Sequence, residues 1–250
     1  MNIKDNFNNN GYVIINNFLS GIKFNNVSTD LHRELNKSIN SFNFSSIGGY
    51  YIGNINVNPG IHAIKIWQLL ISRKLDDLTN EVFNKPSNKF SVSAAGNLNF
   101  PGKGQQKFHT DGNFEDTMYL LSVATQDIPV ESGPTEIVTD FHKSKIPYWK
   151  FILSKKIKEK IILKKGDIVI RKHCVWHRGT KNKSKDPRFL LTYLLFENST
   201  DLKKNFSHNK ELIFYNNFFK SDFKGKLKEF FYVRFGFLFS AYQFVRSIFL

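Results

Sequence analysis

The sequence predicts a mainly β protein with flanking helices, built as a sandwich or a closed barrel. Three observations carry that expectation. Apolar residues recur at helical spacing before Pro86 and gather into short β-rich runs after it. Turn signals (PGKG, ESGP, KKGD and KNKSKDP) separate the later runs. Helical and strand-like segments do not alternate one by one, so a parallel βαβ sheet is not expected.

Taken in order, the chain first offers a short strand, Tyr12–Ile15. After Ser20, the residues Ile22, Val27, Leu31, Leu35 and Ile39 recur at helical spacing up to about Phe42. Gly48, Gly49 and Gly53 break that pattern. Ile61–Asn84 reads as one or two helices that stop before Pro86, because the residue before a proline is pushed out of the helical region. Candidate strands follow at Phe90–Phe100, Gln106–Thr110, Met118–Gln126, Thr135–Val138, Lys160–Leu163, Asp167–Lys172 and Arg188–Glu197. The N-terminal helices are expected to cover one sheet.

A length of 250 residues suits one large domain, or one domain with appendages, and is enough to bury a sizeable core. The single cysteine, Cys174, excludes an internal disulfide framework and a multi-cysteine zinc site, and it fits a reducing compartment. No apolar stretch follows a basic head near Met1, so no secretory signal is expected and a cytoplasmic location is.

The net charge of +15 is local. Residues 142–189 hold 16 Lys and Arg against 3 Asp and Glu, whereas residues 1–141 hold 11 against 13. Such a block is either a solvated lysine-rich face or an attractor for an anionic substrate, lipid head groups or nucleic acid.

Chemistry concentrates in two places. In QQKFHTDG, His109 and Asp111 are two residues apart, so on a strand both point to one face. In GDIVIRKHCVWHRGTKNKSKDPRFLLTYLLF a strand, a polar turn and a second strand supply a distal histidine, His173 or His177, and an arginine, Arg188. Those two histidines differ by four positions, so strand parity does not separate them. Two histidines and one carboxylate with open positions make the facial triad of non-haem Fe(II) oxygenases. A planar guanidinium suits bidentate capture of a carboxylate.

These residues resemble the phytanoyl-CoA dioxygenase family of Fe(II)/2-oxoglutarate-dependent oxygenases. The likeness runs through NNGYVIINNFLS, QQKFHTDG, ESGPTEIVTDFHK and HRGTKNKSKDPRFLLTY, over roughly residues 10–198. It implies a double-stranded β-helix, the jelly-roll or cupin-like barrel, with the catalytic domain over 1–198, its β core starting near 87, and a basic, aromatic helical extension over 199–250. It implies His109, Asp111 and His177 as iron ligands, and Arg188 as partner of the distal carboxylate of 2-oxoglutarate. It prefers His177 to His173 by the offset to Asn182, Ser184 and Arg188. Gln106 aligns with a pocket position that contacts cosubstrate or substrate. The implied reaction consumes O2 and 2-oxoglutarate, releases succinate and CO2, and hydroxylates an unactivated C–H of a small or lipid-linked metabolite. Asp111 stands where halogenating relatives have a small residue, which favours hydroxylation. Two departures stand out: the family's Pro-Gly-Ser-His ending is TDFH here, leaving only His142, and Gly179 replaces a hydroxyl that would give a second cosubstrate anchor.

The C-terminal FFYVRFGFLFSAYQFVRSIFL, residues 230–250, follows the lysine-studded KSDFKGKLK. Arg234, Gln243 and Arg246 argue against a membrane span. The segment reads either as a helix packed on the barrel or on a second subunit, or as an interfacial helix making peripheral contact with the inner membrane face. The rival to an enzyme is a silent barrel binding an anionic ligand or nucleic acid; the intact ligand set argues against it.

Overall fold

In the computed structural model, residues 2–112, 114, 117–139, 141–197 and 210–249 are described. Among them the helices are α1 (Ile3–Asn10), α2 (Ile22–Ser41), α3 (Ile61–Ser72), α4 (Leu75–Phe83), α5 (Tyr148–Leu153), α6 (Phe223–Arg234) and α7 (Gly236–Ile248). The strands are β1 (Tyr12–Ile15), β2 (Asn54–Pro59), β3 (Ser91–Asn99), β4 (Met118–Val123), β5 (Thr135–Val138), β6 (Lys158–Lys160), β7 (Ile168–Lys172), β8 (Trp176–Gly179), β9 (Arg188–Phe196) and β10 (Leu212–Tyr215). They form a seven-stranded sheet in the order β1-β7-β4-β9-β3-β2-β10 and a three-stranded sheet β6-β5-β8. Each strand pairing is antiparallel. This is the mainly β jelly-roll core with flanking helices.

Strand parity sorts the core. On β9, Phe189, Leu191, Tyr193 and Leu195 turn outward and bury against the helices, with Leu31 and Leu35 of α2 and Ile66 and Leu70 of α3 in the same cluster. Arg188, Leu190, Thr192 and Leu194 turn inward to a cavity. β7 and β4 repeat the rule: Ile168, Ile170, Leu121 and Val123 go outward, while Arg171, Leu120 and Ser122 go inward. Between the two sheets a smaller apolar cluster joins Tyr12, Val169 and Ile137.

The structure departs from the sequence reading at several elements. Gln106–Thr110 is not a strand; only His109 makes an isolated bridge, to His177. The strand expected at Lys160–Leu163 lies at Lys158–Lys160. The polar turn expected after β7 contains β8, which crosses to the other sheet. β2, hidden behind three glycines and ending on a proline, runs between β3 and β10. β10 itself belongs to the C-terminal extension, whose first part, 199–209, lies outside the described residues together with 198 and 250.

The tail is two helices, not one, broken between Phe235 and Gly236. It is tied to the barrel by buried polar contacts. Glu229 on α6 is fully buried and accepts hydrogen bonds from the backbone N–H groups of Gly49 (3.0 Å) and Ile52 (2.9 Å). Tyr232 accepts another from the Lys107 N–H, and the Ser247 hydroxyl accepts one from Trp149 N–H at the start of α5 (2.9 Å). Glu229→Ala would strand two buried donors. It should therefore lower stability by about 2–4 kcal/mol, measured by urea unfolding. A loss under about 0.5 kcal/mol would place it in the range of an ordinary surface change and show that α6 is not anchored through this carboxylate.

Candidate active site

The site is assembled by backbone pairing. His109 N–H donates to the His177 carbonyl (3.0 Å), and His177 N–H donates back to the His109 carbonyl (2.9 Å). Two residues on, Asp111 N–H donates to the His173 carbonyl (2.9 Å). An extended segment is thus laid against β8 without being a regular strand. It lacks the apolar alternation of a strand: beside the His109–His177 bridge it is held by single bonds, Gln106 N–H to the Gly179 carbonyl (3.0 Å) and Asp111 N–H to that of His173.

Those bonds bring His109, Asp111 and His177 together, with one ligand atom from each all within 4.8 Å of one another. The imidazoles are set alike. His109 Nδ1–H donates to the carbonyl of Lys107 (2.9 Å), and His177 Nδ1–H donates to that of Val175 (3.0 Å). Each ring bonds the carbonyl two residues before it, so each Nε2 keeps its lone pair. Burial pulls both imidazoles below their ordinary range, His177 well below, which favours the neutral form that binds metal. For Asp111, burial opposes ionisation, but the charge and hydrogen bond of Arg171 hold the carboxyl well below the usual carboxylate range. Two neutral imidazoles and one carboxylate on one side of a cavity fit a divalent ion with open positions.

His173 is not among them. It hydrogen-bonds the Met118 carbonyl (2.9 Å) and lines a different pocket. His142 is also elsewhere: its ring spans the carbonyls of Thr139 (2.6 Å) and Asn8 (3.0 Å), tying the loop after β5 to α1.

The cavity beside the three residues measures about 250 Å³, and Arg188, Arg171 and Gln106 also line it. Arg188 opens β9 and is 1% exposed. Its Nη2 donates to the Gly133 carbonyl (2.9 Å) and its Nη1 to Asn97 Oδ1 (3.2 Å). Its Nε is buried with no partner, and no carboxylate pairs with it among the described residues. Burial pulls the guanidinium down to about 10, which leaves it charged at neutral pH. A buried, unpaired cation is costly unless an anion joins it. The turn before it is stapled by Asn182, whose side chain donates to the carbonyls of Asn99 (3.0 Å) and Asp186 (2.8 Å) and accepts from Ser184 N–H (2.9 Å). Gly133, at φ +75°, reaches this cluster only because it has no side chain: a Cβ would lie 2.7 Å from the Thr180 carbonyl.

Gln106 is buried, and its Oε1 accepts from Gly179 N–H (2.6 Å). A Cβ at Gly179 would lie 2.8 Å from that oxygen, so a side chain there would displace the Gln106 amide. The next hydroxyl, Thr180, is committed to the Pro134 carbonyl (2.7 Å). Arg171 is the residue sequence reasoning missed. Its Nη2 lies 2.6 Å from Asp111 Oδ2 and 3.2 Å from His177 Nε2. The available signal was its place two residues after Val169, on the inward parity of β7.

Comparison with known proteins decides the family. The sequence pattern of phytanoyl-CoA dioxygenase (PhyH) matches residues 7–190. The chain belongs to the phytanoyl-CoA dioxygenase family. It is a 2-oxoglutarate-dependent dioxygenase, with iron and 2-oxoglutarate as its cofactor and cosubstrate. The silent-barrel reading is thereby set aside. No curated protein matches the sequence of this dioxygenase. Its fold is similar to that of the epimerase SnoN, solved with Fe3+, alpha ketoglutarate and nogalamycin RO, at TM-score 0.60 and 14% identity, over 78% of this chain and 82% of that one. It is also similar to AviO1 from Streptomyces viridochromogenes Tue57 (TM-score 0.58, 15% identity, 80% and 95% covered). HygX from Streptomyces hygroscopicus, with nickel, 2-oxoglutarate and hygromycin B bound, gives TM-score 0.55 and 12% identity over 82% and 95%.

In this dioxygenase Arg171 takes up lone pairs of Asp111 and His177 that a metal ion held there would need. Arg171→Gln should therefore raise the affinity for a divalent ion about tenfold or more, since a like charge about 4 Å away costs about 4 kcal/mol near a protein surface. Calorimetric titration with Mn(II) reads it directly. Weaker binding in the variant would mean that the arginine supports the carboxylate instead of opposing the ion.

Proposed function

We propose that His109, Asp111 and His177 hold the iron, that Arg188 binds the distal carboxylate of 2-oxoglutarate, and that the reaction hydroxylates an unactivated C–H of a small metabolite. The unpaired Arg188 guanidinium, buried in the cavity that His109, Asp111 and His177 also line, is the observation that carries this reading. A dicarboxylate with a 2-oxo acid at its other end answers both features. Iron, when bound, supplies the redox centre at which O2 and the 2-oxo acid react to give succinate and CO2.

The chain's own residues orient and hold. The two Nδ1–H bonds to backbone fix the imidazole planes. Asn97 and Gly133 aim the Arg188 guanidinium. Gln106 contributes an amide to the wall, tethered through Gly179, and is the lesser candidate for a contact with cosubstrate or substrate. Asp111 supplies a carboxylate where a halogenating enzyme needs space, which supports hydroxylation. Residues 1–198 form the catalytic domain in this reading, with 199–250 as a C-terminal extension.

Two substitutions test it. Arg188→Ala should weaken 2-oxoglutarate binding about ten- to hundred-fold, the loss of a charge-assisted bond worth about 1.5–3 kcal/mol, while metal affinity stays within about threefold, less than half a decade. Asp111→Ala should abolish succinate release from 2-oxoglutarate under Fe(II) and O2, whereas His173→Ala should keep most of it. Unaltered cosubstrate affinity in Arg188→Ala, or succinate release by Asp111→Ala, would overturn the assignment.

A peripheral membrane role, with a lipid-linked substrate at the inner face of a cytoplasmic membrane, is favoured by one surface. α6 and α7 expose Phe223 (79%), Phe237 (75%), Leu238 and Tyr242, flanked by Lys220, Lys224 and Lys226. Among the described residues no helix is long and apolar enough to cross a membrane. An apolar face with adjacent lysines suits an anionic bilayer surface. The protein should float with anionic vesicles at low salt and be released as the screening length shortens to about 3 Å at about 1 M salt. Absence from the floated fraction at low salt rejects the membrane contact.

A further inference from the structure

Next to the metal-facing cavity lies a second, larger chamber of about 440 Å³. Its wall is aromatic. Phe108, Tyr148 and Trp176 come from the barrel side, and Phe218, Tyr232 and Phe239 come from the C-terminal extension. The extension lies beyond residues 7–190, so half of these aromatic residues fall outside the stretch that the family pattern matches. The polar lining is equally one-sided. Lys107 and Lys228 face the chamber, and among the described residues neither aspartate nor glutamate lines it.

The chamber connects to the chemistry. His109 and Phe218 line both cavities. Their rings meet edge to face, with centroids 5.0 Å apart. An occupant of the aromatic chamber therefore lies beside His109, with Phe218 at the junction. Its volume falls in the range that buries small organic ligands, about 300–1,000 Å³.

We propose that this chamber is the substrate site, and that its substrate is an amphipathic anion: a flat, apolar body held by the aromatic wall, with one carboxylate, sulfate or phosphate group paired to Lys107 and Lys228. As a substrate site it rests on the dioxygenase reading above. Aromatic walls recognise ring systems by offset and edge contacts. Two lysines without a competing carboxylate select charge. Gln243 of α7, also in the lining, offers a hydrogen bond to a neutral group on the same body.

The test uses two dyes with one aromatic body: anilinonaphthalene sulfonate, an anion, and N-phenylnaphthylamine, its uncharged counterpart. Both are titrated by fluorescence into the intact protein without iron or 2-oxoglutarate. One sulfonate per chain is expected, bound about tenfold more tightly than the amine, as one charge-assisted contact predicts. The double variant Lys107→Gln/Lys228→Gln should erase that difference. Phe223→Ser, on the exposed face of α6 and outside the chamber, should leave it unchanged. Equal affinity for the two dyes, several sulfonates per chain, or a loss in Phe223→Ser as large as in the double variant would overturn the proposal, because each marks adsorption to the helix surface. Since no metal is present, that failure would leave the assignments of His109, Asp111, His177 and Arg188 standing. Dye binding as expected, with no succinate release, would instead strike the dioxygenase reading and the substrate role that rests on it, leaving the chamber as an anion-binding site.

Discussion

The reciprocal backbone hydrogen bonds between His109 and His177 hold together segments 68 residues apart in the chain, and the chemistry depends on them. A pair of N–H···O bonds at 2.9–3.0 Å fixes where two Cα atoms sit and how their side chains leave the backbone. The imidazoles then need only one further bond each, to Lys107 and Val175 carbonyls, to present Nε2 to a common point. Asp111 joins through the same ladder, by way of the His173 carbonyl. His173 thus serves by its backbone while its ring lies elsewhere.

The barrel gives this bridge its rigidity. β9 is the organiser: its outward residues bury under α2 and α3, and the Tyr193 hydroxyl donates to the Ala63 carbonyl at 2.7 Å. Its inward residues floor the cavity, beginning with Arg188. One strand therefore links the hydrophobic core to the cavity beside His109, Asp111 and His177, so a slip of one residue would bury the wrong face and turn the arginine out. The polar cost is met locally. Asn97, Gly133 and Asn182 satisfy the groups around Arg188 and leave its Nε open.

The C-terminal extension is structurally continuous with this core. β10 adds a strand next to β2, and α6 sends Glu229 back to the glycine turn, where it accepts from the Gly49 and Ile52 N–H groups. Its aromatic residues divide between two duties. Tyr232 and Phe239 turn inward to the chamber, while Phe223 and Phe237 stay at the surface. Because both faces carry lysines nearby, the same extension links the question of substrate to that of surface contact.

The sequence by itself determined the elements whose signal is local. Tyr12–Ile15 and Thr135–Val138 fall where β-rich runs placed them, and helical spacing located α2, α3 and α4. The resemblance carried by QQKFHTDG and HRGTKNKSKDPR named the family and the residues to examine. Other features depended on partners far along the chain. The choice between His173 and His177 escapes strand parity, because the two differ by four; a turn between them and a strand crossing to the second sheet separate their side chains. Gln106–Thr110 looked like a strand by composition, yet it finds only one bridging neighbour. Arg171 looked like one more charge in a basic block until β7 took its place between β1 and β4 and turned it to the cavity. The chamber is the extreme case: its walls come from residues more than a hundred positions apart, and only the docking of α6 and α7, fixed by a buried glutamate, brings them face to face.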